Sequence, residues 1–206
     1  MRIVLMRHGA TEGNECRRYV GRRTDEPLSA AGRAQCLEAG VHPELRLAYV
    51  SGMLRARQSA EICFPQAELR VVPGLEEFDF GDFEGKSAQD LERDEAYRAW
   101  VDSGCKAPCP GGDEREAYCA RVAQAMRTLM RDVAQRGERD LVVVAHGGTV
   151  MATLSSFADA RREGVNGYDD YFCWQLRPAE GYAAQVRFDG GVPRIEDVER
   201  FVRLPL

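Results

Sequence analysis

Apolar residues along the chain fall into short unbroken runs, separated by stretches where they recur every three or four positions. That pattern predicts strands alternating with helices. Ile3 to Met6 is one such run and stops at Arg7-His8-Gly9, as a buried strand followed by a loop does. A helix is expected from Ser29, a residue suited to an N-cap, to about Gly40. Leu47 to Ser51 reads as a second strand, Leu54 to Phe64 as a helix and Arg70 to Val72 as a third short strand. Gly74 to Gly85, aromatic, acidic and punctuated by glycine, reads as loop. Ser87 to Asp102 carries Leu91, Tyr97 and Val101 at the spacing of one buried helical face, and Pro108 to Gly112 breaks the chain. From Asp113 a long helix runs to about Gln135, with Val122, Met126, Leu129 and Val133 on one stripe. Leu141 to Ala145 is the strongest strand; it ends at His146-Gly147-Gly148-Thr149, and Val150 to Phe157 reads as helix. Tyr171 to Leu176 and Ala183 to Phe188 complete the set as late strands. The alternation, with no internal repeat, implies one α/β domain over residues 1–206, a three-layer α/β/α sandwich around a mostly parallel sheet.

Composition narrows the partners. With 44% apolar and 30% charged residues the chain is globular rather than disordered. A net charge of -5 lacks the positive field that gathers nucleic acid, though a few local arginines suffice to hold one phosphate. The apolar run in MRIVLMRHG is too short for a signal peptide, and no run approaches the roughly 20 residues that span a bilayer. The expected location is the cytoplasm, with no membrane partner. Seven cysteines at irregular spacings are read as reduced thiols. Cys105, Cys109 and Cys119 lie close in sequence, but no CxxC pair is present and zinc is not expected there.

Two of the three histidines change the picture. His8 and His146 each follow an apolar strand and precede glycine. Ligands of α/β sheets gather at the carboxyl ends of strands, so the two imidazoles would share a crevice if their strands were neighbours. The glycine after each lets backbone amides approach an anion. His42, between Val41 and Pro43, carries no such context and is read as structural.

At this point the sequence resembles a known family. Arg7-His8-Gly9-Ala10-Thr11-Glu12-Gly13-Asn14 is similar to the RHG signature of the histidine phosphatase superfamily, in its phosphoglycerate mutase branch. The resemblance continues in order through Gly21 to Ser29 with Gly32 and Gln35, through Ser51 to Ala60, through Leu75 to Gly85, and ends at His146-Gly147-Gly148. Leu54 stands one place later than the family's usual leucine. Within the branch, the compact length and the Pro110-Gly111-Gly112-Asp113 turn resemble small phosphatases such as the α-ribazole phosphatases. Those often carry Glu and then Ser or Thr after the glycine pair, where this chain has Asp113-Glu114.

The resemblance implies a phosphoglycerate mutase-like fold and a phosphohistidine mechanism that needs no metal or cofactor. It implies His8 as the nucleophile and Arg7 and Arg55 as guanidinium clamps on the phosphoryl dianion. His146 would bind phosphate and stabilise the equatorial oxygens, while Asn14 and the backbone at Gly147 add substrate contacts. Glu77 is the general acid by the family's spacing; Glu76 and Glu84 are its neighbours, and Glu84 is expected to brace a helix starting near Ser87. The expected substrate is a small phosphorylated metabolite, with α-ribazole 5'-phosphate or a sugar phosphate foremost. Its leaving group would meet the loops around Arg17 to Arg23, Phe78 to Phe83 and Lys106 to Gly112. A mutase and a non-catalytic phosphate-binding module are the alternatives, and the oligomeric state, including a homodimer, stays open.

Overall fold

The computed structural model describes residues 1–160, 163 and 171–206. Strand β1 (Arg2–Arg7) lies at the centre of a six-stranded sheet. A short helix α1 (Glu12–Glu15) follows it, then helix α2 (Ala30–Ala39), strand β2 (Leu47–Val50), helix α3 (Leu54–Cys63) and edge strand β3 (Glu68–Val71). Helices α4 (Glu95–Asp102) and α5 (Arg115–Gln135) lead to strand β4 (Asp140–Ala145), helix α6 (Gly147–Phe157) and the antiparallel strands β5 (Gly181–Asp189) and β6 (Val192–Phe201). The sheet order is β3-β2-β4-β1-β5-β6, with β1, β2, β3 and β4 mutually parallel.

Both faces of the sheet are covered, and β1 shows how the sequence achieves it. Ile3 and Leu5 point into one apolar layer with Met126 and Val143, while Val4 and Met6 point into the other with Cys36, Ala60 and Val144. Side chains alternate across a strand, so a continuous apolar run is what a strand buried on both faces requires. Each such buried aliphatic side chain stabilises the fold by about 1.5–3 kcal/mol. The expected sandwich with a mostly parallel central sheet is therefore the observed one.

Three elements differ from expectation. The helix expected over Ser87 to Asp102 forms only from Glu95, where Asp94 accepts from Tyr97 N–H as N-cap; Ser87 and Asp90 instead bond each other in a turn. Its buried face is Tyr97 and Trp100, whereas Val101 is exposed. The strand expected over Tyr171 to Leu176 is a 3-10 turn at Phe172–Trp174 followed by extended chain. Strand β6 was not expected; Gly190 and Gly191, both at positive φ, turn β5 back into it.

The order of strands places the site. β1 and β4 are parallel neighbours with Arg7 opposite Ala145, so His8 and His146 emerge side by side at their carboxyl ends. His8 N–H closes the ladder on Ala145 O at 3.0 Å. Helix α2 is pressed against the loop after His8: a Cβ at Gly32 would lie 1.9 Å from Ala10 O, so a side chain there cannot be accommodated without moving backbone.

Candidate active site

His8 is buried, and its Nδ1 lies 2.6 Å from Gly9 O. A carbonyl oxygen only accepts, so Nδ1 carries the proton and Nε2 keeps its lone pair. Arg55 Nε donates to that lone pair at 3.2 Å. Burial, then the positive charges of Arg55 and Arg7, hold the His8 imidazole well below the ordinary histidine range. It is a neutral base with a defined tautomer.

Arg55 enters from the first turn of α3 and is fully buried. Nη1 donates to Thr24 O at 2.8 Å and Nη2 to Gly21 O at 3.1 Å, so the guanidinium plane is fixed by a loop. That loop is held in turn by Glu84, which accepts from Gly21 N–H at 3.0 Å and Thr24 Oγ1 at 2.8 Å. Glu84 thus braces the Gly21 to Thr24 loop, correcting its expected role at a helix near Ser87. Arg22 and Arg23 pair with Asp79 at 3.2 and 2.7 Å and staple the same loop to the chain after β3.

Arg7, at the end of β1, donates from Nη1 to Leu176 O at 2.6 Å, while its buried Nε has no hydrogen-bond partner. His146 is fully buried against His8, their ring centroids 5.2 Å apart. Its Nε2 lies 2.8 Å from Ser51 Oγ, and its buried Nδ1 has no partner. Burial first, then Arg55, His8 and Arg7, push this imidazole well below the usual range as well. Ser51 Oγ also accepts from Met53 N–H at 3.4 Å. The arrangement that satisfies the buried hydroxyl has Ser51 donating to Nε2, which leaves Nδ1 as an N–H donor. Arg7 Nε and His146 Nδ1 are then two buried donors without acceptors among the described residues, which an anionic ligand would satisfy.

Ser51→Ala tests that tautomer. It is expected to lower kcat more than it raises KM, by roughly 10-fold or more, as loss of an oriented donor does. Ser51→Thr, which keeps the hydroxyl, should recover most of the rate; equal losses in both variants would contradict the assignment.

Glu77 is buried on the wall of the same site. Its Oε1 accepts from Tyr118 OH at 2.8 Å and Phe78 N–H at 2.9 Å, and its Oε2 from Gly148 N–H at 3.1 Å. Gly148 makes this approach possible, because a Cβ there would stand 2.2 Å from Glu77 Oε1 and 2.8 Å from Tyr118 OH. Glu76, by contrast, pairs with Arg121 at 3.2 Å. Gly147 begins α6 beside the Arg7 guanidinium, its Cβ position 3.4 Å from Arg7 Nε. Thr11 is the N-cap of α1 and Asn14 completes its capping box: Asn14 Oδ1 accepts from Thr11 N–H at 3.3 Å and Asn14 N–H donates to Thr11 Oγ1 at 3.3 Å. That cap shapes the loop after His8 and draws the Asn14 carbonyl into structure.

Next to these groups lies a cavity of about 490 Å³, lined by Arg7, Glu77, Gly147 and a set of aromatic rings. Tyr19, Phe78 and Phe80 come from loops expected to meet the leaving group. Lys106 to Gly112, expected there too, supplies none of the lining; Trp100 of α4 and the Tyr171–Phe172 pair do instead. Among the described residues, no group of three or more His, Cys, Asp or Glu is placed to hold a metal ion. None of the seven cysteines forms a disulfide, and no described helix is long and apolar enough to cross a membrane.

The central strands thus deliver two adjoining imidazoles to one place, with the buried Arg55 guanidinium and the half-buried Arg7 guanidinium beside them. The chain belongs to the histidine phosphatase superfamily (branch 1), whose family model matches residues 3–172. It is 31% identical to the adenosylcobalamin/alpha-ribazole phosphatase of Salmonella typhimurium, over 75% of this chain and 78% of that protein. It is 30% identical to the 2,3-bisphosphoglycerate-dependent phosphoglycerate mutase of Azorhizobium caulinodans, over 79% and 84% of the two chains. The fold matches the crystal structure of an alpha-ribazole phosphatase from Shigella flexneri with a TM-score of 0.74 at 23% identity, covering 100% of this chain and 99% of that one. A phosphoglycerate mutase from Thermus thermophilus matches with a TM-score of 0.64 at 30% identity, covering 96% and 98%.

Proposed function

We propose that the protein hydrolyses a small phosphomonoester by way of a phosphohistidine at His8 Nε2. The observation that carries this reading is the neutral His8, its Nε2 lone pair held by the Arg55 Nε donor and its ring set against His146, with the Arg7 charge nearby. Two guanidinium charges match the two negative charges of a phosphomonoester, and a planar fork gives directed bonds to its oxygens.

On binding, the phosphoryl oxygens take Arg55 Nε away from His8 and engage Arg7 Nε and His146 Nδ1–H. His8 Nε2 then attacks phosphorus as the ester P–O bond breaks, and Glu77 gives its carboxyl proton to the departing alkoxide. In the second half the Glu77 carboxylate takes a proton from water, the hydroxide oxygen bonds to phosphorus, and the N–P bond breaks to return neutral His8 and inorganic phosphate. Charge spreads over the equatorial oxygens in both steps, where preorganised donors contribute most.

α-Ribazole 5'-phosphate is the substrate we put first, supported by the likeness to alpha-ribazole phosphatases in sequence and fold. The second reading, mutase chemistry, is supported by the 30% identity to a phosphoglycerate mutase. It requires the phosphohistidine to outlast water and return its phosphate to the product. Inorganic phosphate release across a panel of esters, set against isomer formation from 3-phosphoglycerate, separates them: release without isomerisation is expected.

The depressed His8 imidazole sets the pH dependence. A histidine whose value is lowered stays neutral as pH falls through the ordinary 6.5, so the nucleophile is not lost there. The acid limb of kcat/KM should instead follow the ester's own second ionisation, near pH 6 for a simple monoester. Esters with different second ionisations should move that limb. A limb fixed at 6.5 for all of them would contradict the neutral, buried His8.

A further inference from the structure

Glu77 has two carboxyl oxygens, and the proposed chemistry needs the proton on one that can reach the departing alkoxide. The hydrogen bonds divide the two unequally. Oε1 accepts twice, from Tyr118 OH at 2.8 Å and Phe78 N–H at 2.9 Å, whereas Oε2 accepts once, from Gly148 N–H at 3.1 Å. A carboxylate offers about four acceptor positions, two on each oxygen. Both positions on Oε1 are taken, so the position left to hold a proton is on Oε2.

Tyr118 is the donor that decides this. Phe78 N–H and Gly148 N–H give one bond to each oxygen, and without the phenol the two oxygens would be alike. Tyr118 stands on the first turn of α5, 1% exposed, and is not among the described residues that line the cavity. It therefore meets a substrate only through Glu77. Its hydroxyl also lies 3.3 Å from Thr149 Oγ1, but Thr149 gives its own proton to Leu75 O at 3.1 Å and offers Tyr118 an acceptor only. The charged Glu77 oxygen is the nearer acceptor and takes the phenol proton. Burial, then the Glu77 charge, raises the Tyr118 phenol well above its usual range, so it stays a donor. The ring is held edge-on to Phe78, centroids 5.3 Å apart, with the Arg121 guanidinium over it at 5.0 Å.

We propose that Tyr118 is a positioning residue for the general acid: it occupies Glu77 Oε1, so that Oε2 carries the proton given to the alkoxide and later taken from water. The inference rests on the role of Glu77 in the hydrolysis proposed above and deepens it. As the Oε2–H bond breaks, the proton goes to the ester oxygen leaving phosphorus and negative charge spreads onto Oε1. Hydrogen bonds to an ionised acceptor are stronger than to a neutral one, so the Tyr118 bond strengthens as the proton departs. In the second half-reaction Oε2 takes one proton from the attacking water, and Oε1 keeps both of its donors.

The test uses two esters of similar size, benzyl phosphate and p-nitrophenyl phosphate. An alkoxide leaves poorly without a proton, whereas p-nitrophenolate is a stable anion. The ratio of their kcat/KM values therefore reports proton donation, which a loss of packing or of phosphate binding would not move. Positioned acid catalysis contributes about 10²–10⁴-fold, so Glu77→Gln should lower the benzyl to p-nitrophenyl ratio by about 100-fold or more, and Tyr118→Phe by about tenfold. Tyr118→Met, an adaptable apolar filler without a donor, should repeat the result. An unchanged ratio in the Tyr118 variants beside a lowered one in Glu77→Gln overturns this inference and leaves Glu77 as the acid. Failure of both Tyr118 variants to fold also overturns it, because the hydroxyl would then serve the fold. An unchanged ratio in Glu77→Gln removes the Glu77 assignment and this inference with it. Release from neither ester by the wild-type protein removes the phosphatase reading as well.

Discussion

His8→Ala is expected to lower kcat/KM for a phosphomonoester by about 10⁴-fold or more, the scale seen when a covalent nucleophile is removed. The structure shows why no neighbour should replace it. His146, 5.2 Å away ring to ring, engages Ser51 through Nε2, and its Nδ1 is left protonated. Ser51 and Ser59 are buried with their hydroxyls already bonded, Ser59 Oγ donating to Arg55 O at 2.8 Å. Glu77 is held by Tyr118, Phe78 and Gly148 on the wall. The variant loses one side chain from a preformed pocket, so phosphate binding should persist while turnover falls. Binding of inorganic phosphate to His8→Ala, measured by calorimetry, checks the first half; a turnover assay checks the second.

Arg55→Lys is the second large effect. The substitution keeps the charge but cannot keep the fork. Nε faces His8 while Nη1 and Nη2 reach Thr24 O and Gly21 O, three directions that a single ammonium cannot reproduce at the same place. Loss of an oriented transition-state donor costs about 10²–10³ in rate, and kcat/KM is expected to fall by that much. Each carbonyl left without its donor adds about 1–3 kcal/mol of destabilisation, visible as a lower urea midpoint. A rate within tenfold of wild type would show that Arg55 is a structural strut rather than a phosphate clamp.

Much of this arrangement was legible in the sequence. The run Ile3 to Met6 and the run Leu141 to Ala145 are apolar throughout because both faces of the central strands are covered, and that pattern is local. The positions of His8 and His146 followed from where those runs stop. What stayed hidden depends on long-range contact. Ser51 stood inside a recognised motif, yet its partnership with His146 spans 95 positions and has no local sign. Tyr118 of α5 has no local sign of its hydrogen bond to Glu77, which lies 41 positions away. Trp100 is masked by the expected helix from Ser87, which puts Val101 beside Tyr97 on the buried face; in the helix capped by Asp94 it is Trp100 that is buried with Tyr97, and Val101 is exposed. Strand β6 begins Val192-Pro193 after two glycines at positive φ, and its polar positions Arg194, Glu196 and Glu199 hide the strand until it pairs with β5.

Rapid-quench labelling with a substrate carrying radioactive phosphorus tests the central claim most directly. Wild-type protein mixed with the ester and quenched within milliseconds should carry an alkali-stable, acid-labile phosphoryl group on the peptide containing His8, and His8→Ala should carry none. Label on His146 instead, or steady turnover with no labelled protein at any quench time, would contradict a phosphohistidine at His8.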